Sequence, residues 1–245
     1  MKMLYFDCFS GIGGDMSVAA LLDIGADFEL LKSEMERLFP NARPIGLSVA
    51  RTMKCGVSAL QFRVTSPFPE TGLRNFADIK ECIECSKLVP AVKRLSLEIF
   101  TNLAKAESSV HGVPLDAVHF HEVGAFDSVI DIIGFSIAFC ALDIRQVVVS
   151  PIALGFGSVA CRHGMYPIPA MATLELLQSV PIYGGDHPYE LTTPTGAAII
   201  KTIATDYSEQ LPRMRVERIG YGAGTRDLHG QPNVLRLVCG ERTQP

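Results

Sequence analysis

The sequence contains no tryptophan, and aromatic residues make up only 8% of it. Surfaces that stack the bases of single-stranded nucleic acid are built from aromatic rings, so that class is not expected. There is no basic excess either: 22 lysines and arginines against 26 aspartates and glutamates leave a formal charge of −4. Nucleic-acid binders need a positive surplus to displace phosphate counterions, which argues against a nucleic-acid partner. No apolar run is long enough to span a bilayer; the longest, residues 132–142, is bounded by Asp131 and Asp143. Near the start Asp7 interrupts the apolar stretch before a secretory h-region could form, so a cytoplasmic protein with no membrane contact is expected. Cysteine is present 7 times, an odd number in a long, core-rich chain, which argues for buried thiols in a reducing compartment rather than a disulfide framework. There is no nucleophile elbow and no P-loop. Met16 stands where the last glycine of a dinucleotide fingerprint would fall after Gly11 and Gly13.

What is present is apolar content of 48% in 245 residues. That suits one large domain or two small ones, burying roughly 70–75% of the surface the unfolded chain exposes. Leu4-Tyr5-Phe6 reads as a buried strand leading into the turn Ser10-Gly11-Ile12-Gly13-Gly14, with Asp15 capping or opening the helix that follows. Residues 27–39 read as a second helix, and residues 45–53 and 57–65 as strands paired across a Lys54-Cys55-Gly56 turn. A Pro/Gly loop over 66–72 precedes helices at 75–86 and 91–110, with Pro90 opening the second. Further on come short strands and loops, helices near 170–178 and 195–205, and strands at 214–219 and 234–238. Gly220-Tyr221-Gly222-Ala223-Gly224 reads as flexible hairpin backbone. The pattern predicts an α/β fold: a single domain with a mixed sheet and a buried central helix.

That central helix follows His119-Phe120-His121-Glu122-Val123-Gly124. Phe126, Ile130, Ile133 and Ile137 recur at helical spacing, with Val129, Ile132 and Phe135 on the flanks. Asp127 and Asp131 share the small-residue face with Gly124, Ser128 and Gly134, and no lysine or arginine lies between Glu122 and Leu142 to neutralise them. A buried unpaired carboxylate costs several kcal/mol, so each needs a cation, a metal or strong donors. In extended backbone His119 and His121 point to one side. Two imidazoles with Glu122, Asp127 or Asp131 suit a first-row divalent ion such as nickel or zinc. The same residues also fit a plainer account, in which the histidines cap the helix and Asp127 pairs with a distant arginine.

Two other segments resemble anion-facing helix starts. Ser10-Gly11-Ile12-Gly13-Gly14-Asp15 lies between strand and helix, where free N–H groups favour anions although Asp15 would repel a phosphate. Leu191-Thr192-Thr193-Pro194-Thr195 places three hydroxyls around a proline-led helix, either a dense cap or an anion cradle. His163 sits in a proline-rich loop. Cys82 and Cys85, one turn apart, read as packing, while Cys8 after the first strand is better placed for chemistry.

Together these motifs resemble the LarC family of nickel-insertion proteins. The resemblance rests on the opening segment Tyr5-Phe6-Asp7-Cys8-Phe9-Ser10-Gly11-Ile12-Gly13-Gly14-Asp15-Met16 and on His119 to Gly124 with Asp127, Ser128 and Asp131. It continues in His163-Gly164 with Pro167-Ile168-Pro169-Ala170, in Glu190 to Ala198, and in Gly220 to Gly224 with Pro232-Asn233-Val234-Leu235-Arg236. Gly13, commonly serine in the family, and Met171, where the loop more often has proline, depart from the pattern. The resemblance implies nickel insertion into pyridinium-3,5-bisthiocarboxylic acid mononucleotide during nickel-pincer cofactor biosynthesis, for lactate racemase maturation. It implies a CTP-dependent enzyme of the lyase class, with magnesium or manganese accompanying CTP. Family members continue into a second, CTP-binding domain, so residues 1–245 are expected to be the N-terminal domain, acting with that domain in cis or as a separate chain. Self-association is left open.

His119, His121, Glu122, Asp127, Asp131 and His163 are the expected metal ligands, and Asp7, Ser10, Gly11, Gly13, Gly14, Asp15, Thr192, Thr193 and Thr195 the expected substrate-binding residues. Two alternatives stand beside this reading: a non-catalytic metal-binding scaffold, and a zinc- or manganese-dependent hydrolase. The second is weakened because no further histidine-rich strand ends follow.

Overall fold

The structure, a computed structural model, describes residues 1–38, 46–65, 75–118, 120, 126–161 and 164–243. The chain opens with β1 (Lys2–Asp7), whose Leu4 and Phe6 face the core. Next come α1 (Gly14–Asp23) and α2 (Phe28–Leu38). β2 (Leu47–Lys54) and β3 (Val57–Val64) form a hairpin in full register. Cys55 and Gly56, at φ 44° and 80°, make the two-residue turn whose twist matches the strands. Lys54, expected in that turn, is instead a buried ladder residue, its ammonium donating to Asp227 Oδ1 at 2.6 Å and Arg226 O at 3.0 Å.

α3 (Phe76–Cys85) begins with a reciprocal capping box between Asn75 and Asp78. α4 (Pro90–His111) starts at its proline and ends on the left-handed Gly112. Then follow α5 (Phe126–Ala141), β4 (Gln146–Val149), β5 (Ile152–Ala153), β6 (Gly157–Cys161), β7 (Gly164–Ile168), α6 (Met171–Leu176) and β8 (Ile182–Tyr183). The chain finishes with α7 (Pro194–Ile203), β9 (Asp206–Tyr207), β10 (Met214–Ala223) and β11 (Val234–Arg242).

The main sheet has the order β2-β3-β10-β11-β1-β4-β9 and is mixed: β1 is antiparallel to β11 and parallel to β4. α1 lies on β10 and β3, and α5 packs on the far side of α1, enclosed also by α2, α4 and α7. The expected α/β fold with a mixed sheet and buried central helix is therefore present. Ile130, Ile132 and Phe135 of α5 are wholly buried, as the helix's broad apolar face requires. The expected loop 66–72 lies outside the described residues. Among the described residues no helix is long and apolar enough to cross a membrane.

One expectation is corrected. Gly220 to Ala223 do belong to a hairpin, but as the ladder-paired end of β10, opposite Leu237 to Val234 of β11, and not as flexible backbone. They are glycine-rich because α1 rests directly on them. A Cβ at Gly222 would sit 1.9 Å from the carbonyl oxygen of Met16.

Candidate functional site

Two turns far apart in sequence are bound to each other. The Ile12 N–H donates to Leu191 O at 3.1 Å, and the Thr193 N–H donates to Ile12 O at 3.1 Å. A parallel bridge joins Ile12 and Thr192. α1 and α7 consequently start side by side, and their first turns open on the same cavity of about 350 Å³. The cavity is lined by Gly14 and Asp15 of α1, Ser128 and Asp131 of α5, and Thr193, Pro194 and Thr195 of α7. Glu190, Ala170 and the β6–β7 hairpin residues Val159, Ala160 and Tyr166 complete its wall.

The carboxylates in this cavity are held under electrostatic tension. Burial holds the Asp131 carboxyl well above the usual carboxylate range; Asp15 and Asp127 push it the same way, and the Asp15 N–H donating to it opposes them only in part. Asp15 is raised as well, chiefly by burial, against the Met16 N–H that donates to its Oδ1 at 2.8 Å. The N-termini of α1 and α7 supply partial positive charge but no cation. Such an arrangement favours a ligand carrying positive charge at the carboxylates and negative charge at the helix starts.

The expected substrate residues divide by position. Gly14, Asp15, Thr193 and Thr195 line the cavity. Gly13 is the N-cap of α1, its carbonyl accepting from the Ser17 hydroxyl at 2.7 Å. Thr193 caps α7, accepting from the Gly196 N–H at 3.2 Å. Asp7, Ser10, Gly11 and Thr192 are not among the lining residues. The Asp7 carboxylate accepts from Arg236 Nε at 2.8 Å. The Ser10 hydroxyl donates to Pro232 O at 2.8 Å and accepts from Gln231 Nε2 at 2.6 Å. The Gly11 N–H donates to Cys8 O at 2.9 Å, and the Thr192 hydroxyl donates to Ala153 O at 2.7 Å.

Of the expected metal ligands, Asp131 lies in the cavity wall and Asp127 is exposed one turn earlier on α5. His119, His121, Glu122 and His163 lie outside the described residues. Among the described residues no group of three or more His, Cys, Asp or Glu is placed to hold a metal ion. Glu190 and Tyr166 reach the cavity although the sequence marked neither as a site residue; their only signal was membership of the segments around Thr192 and His163. Cys8, expected near chemistry, is fully buried in the main core, and burial followed by Asp7 pushes its thiol far up.

Comparison with known proteins follows the same line. The model of the family described as nickel insertion protein matches residues 4–245. The chain is 46% identical over 253 residues to the pyridinium-3,5-bisthiocarboxylic acid mononucleotide nickel insertion protein of Geobacillus kaustophilus (strain HTA426), covering 100% of this chain and 61% of that protein. It is 47% identical over 241 residues to the protein of the same name from Desulfitobacterium hafniense (strain DSM 10664 / DCB-2), covering 98% of this chain and 59% of that protein. The chain thus spans about three fifths of the length of these curated relatives. No solved structure matches it. With the family model matching nearly end to end, the chain belongs to the nickel insertion protein family.

Proposed function

We propose that this chain handles nickel and takes part in its insertion into pyridinium-3,5-bisthiocarboxylic acid mononucleotide, the step that completes the nickel-pincer cofactor of lactate racemase. The observation that supports this reading is the cavity in which Asp131 and Asp15 face two helix N-termini. Free N–H groups and dipoles at Gly14 and Thr195 suit the anionic mononucleotide, and the carboxylates suit a divalent cation. His119, His121 and one carboxylate among Glu122, Asp127 and Asp131 hold nickel as cargo, with His163 completing the set. Gly13, Gly14, Asp15, Thr193 and Thr195 position the substrate, while Asp7, Ser10, Gly11 and Thr192 fix the two turns that carry them. Nickel then passes from nitrogen and oxygen donors to the softer sulfurs of the pincer, a direction favoured by ligand softness.

In this reading the additional length of the relatives contains the CTP-binding domain, with its magnesium or manganese, and the complete assembly is the lyase-class enzyme. Imidazole binds metal only when neutral, so nickel affinity falls below about pH 6. The test is calorimetry on His119→Ala with His121→Ala. Loss of nickel affinity is expected, and unchanged affinity overturns the assignment.

A second reading, favoured by the three-fifths coverage of the relatives, is a non-catalytic scaffold that only presents nickel. Mixing this chain with the CTP-binding domain and assaying CTP-dependent insertion separates the two. Insertion by this chain alone rules out the scaffold.

A further inference from the structure

We propose that this chain pairs with a second copy of itself through the outer edge of β2, joining two seven-stranded sheets across a two-fold axis at Ala50. β2 is the last strand of the sheet and is 8 residues long. Thr65 donates to Gly46 O at 2.6 Å, so the even-numbered residues of β2 direct their backbone groups to β3. By the alternation of an antiparallel ladder, Leu47, Val49, Arg51 and Met53 direct their N–H and C=O groups outward. Among the described residues no strand pairs with that edge.

Natural edge strands usually carry a protective device: proline, a bulge, an outward lysine or a very short length. β2 has no proline, no bulge and no short length, and its two charged residues are each engaged by an aspartate. Its register with β3 is unbroken from Leu47 to Lys54, it contains no proline, and Lys54 is buried against Asp227. The remaining charge, Arg51, is matched by Asp23 at 2.5 Å.

The sequence of the strand selects the register. Outward-facing residues must oppose one another, which admits two-fold centres at Val49, Ala50 or Arg51. A centre at Arg51 sets like charges directly opposite each other, which is unfavourable. A centre at Ala50 sets Leu47 against Met53, itself 61% exposed, and Val49 against Arg51, with Ser48 against Thr52. Every outward N–H and C=O from Leu47 to Met53 then finds a partner, and the exposed methionine gains an apolar neighbour. The occupant that fits this edge is therefore the edge itself.

The test uses single cysteines in a background lacking the thiols exposed among the described residues, Cys55→Ser with Cys85→Ser, and also Cys161→Ser. In the proposed register the two Ala50 positions face each other within disulfide reach, so Ala50→Cys oxidises to a covalent dimer. The two Ser48 positions lie four residues out of step, about 13 Å apart, so Ser48→Cys does not. Sedimentation equilibrium on the unmodified chain should show a concentration-dependent dimer. Ala50→Lys should lower its association constant by about two- to fivefold through like-charge opposition. A monomer up to millimolar concentration overturns the proposal. So does a dimer in which Ser48→Cys cross-links as fast as Ala50→Cys, because that dimer uses another surface or register.

Discussion

The carboxylate of Asp131 rests directly on the backbone of Gly14: a Cβ built at Gly14 would lie 2.6 Å from Asp131 Oδ2 and 2.9 Å from Thr195 Cγ2. Glycine at this place lets α5 bring its acid to the first turn of α1 and lets α7 close beside both. Gly14→Ala should displace the carboxylate while leaving the fold intact, at a cost of about 1–3 kcal/mol. Circular dichroism and urea melts measure the fold and the cost. Nickel titration should show at least a tenfold weakening if Asp131 is a ligand, and unchanged affinity removes Asp131 from the ligand set.

Asp131 should also limit stability at neutral pH. Its folded-state carboxyl titrates well above the ordinary value because of burial, then Asp15 and Asp127. The folded chain therefore holds this proton after the unfolded chain has released it. Its contribution to stability is full below the ordinary carboxylate range and is lost as pH rises through the raised folded value. Asp131→Asn keeps the acceptor for the Asp15 N–H and removes the charge. The variant should melt higher than the parent at neutral pH, by about 2–4 °C for each kcal/mol relieved, and the difference should vanish in acid. A lower melting temperature at neutral pH would mean that the charge is compensated in the apo protein.

Thiol reactivity should divide sharply. Cys55 and Cys85 are exposed, whereas Cys8 is buried and its thiolate strongly disfavoured. Iodoacetamide followed by mass spectrometry should label Cys55 and Cys85 in the native protein and Cys8 only after denaturation. Rapid native labelling of Cys8 would place it on an accessible surface and restore it as a candidate for substrate contact.

The pair Asp7–Arg236 ties β1 to β11 at the end of the sheet where the first turn begins. Arg236 is 45% exposed and the Asp7 side chain 12%, so solvent weakens the attraction while the stranded carboxylate remains costly. Arg236→Leu should cost about 1–3 kcal/mol in urea unfolding. Adding Asp7→Asn should recover part of that loss, and full additivity of the two changes would show that the pair is not coupled.

Local signals carried much of this fold. The β2–β3 hairpin was readable because strand alternation and a turn glycine are neighbours in sequence. α3 and α4 were readable because Asn75, Pro90 and Gly112 mark their own ends. The end of β10 was not, since Gly220 and Gly222 serve α1, a partner some two hundred residues away in the chain. The carboxylates on α5 stood out because the helix carries no cation of its own. Their meeting with Asp15 was hidden, because it depends on the Ile12–Thr192 bridge, which no periodicity encodes. Cys8 misled because a residue following a strand can be covered by a later one, here through the Ala153 N–H that donates to its carbonyl at 3.2 Å.

The Ile12–Thr192 bridge also orders events during synthesis. A nascent chain that has emerged only as far as residue 189 already contains Asp15 and Asp131, but not the segment that closes the pocket around them. Since chains fold from the N-terminus as they leave the ribosome, half-made copies hold those acids without the second helix start. The pocket is completed only when the segment from Glu190 onward docks, so a copy truncated before it lacks the α7 side of the cavity wall.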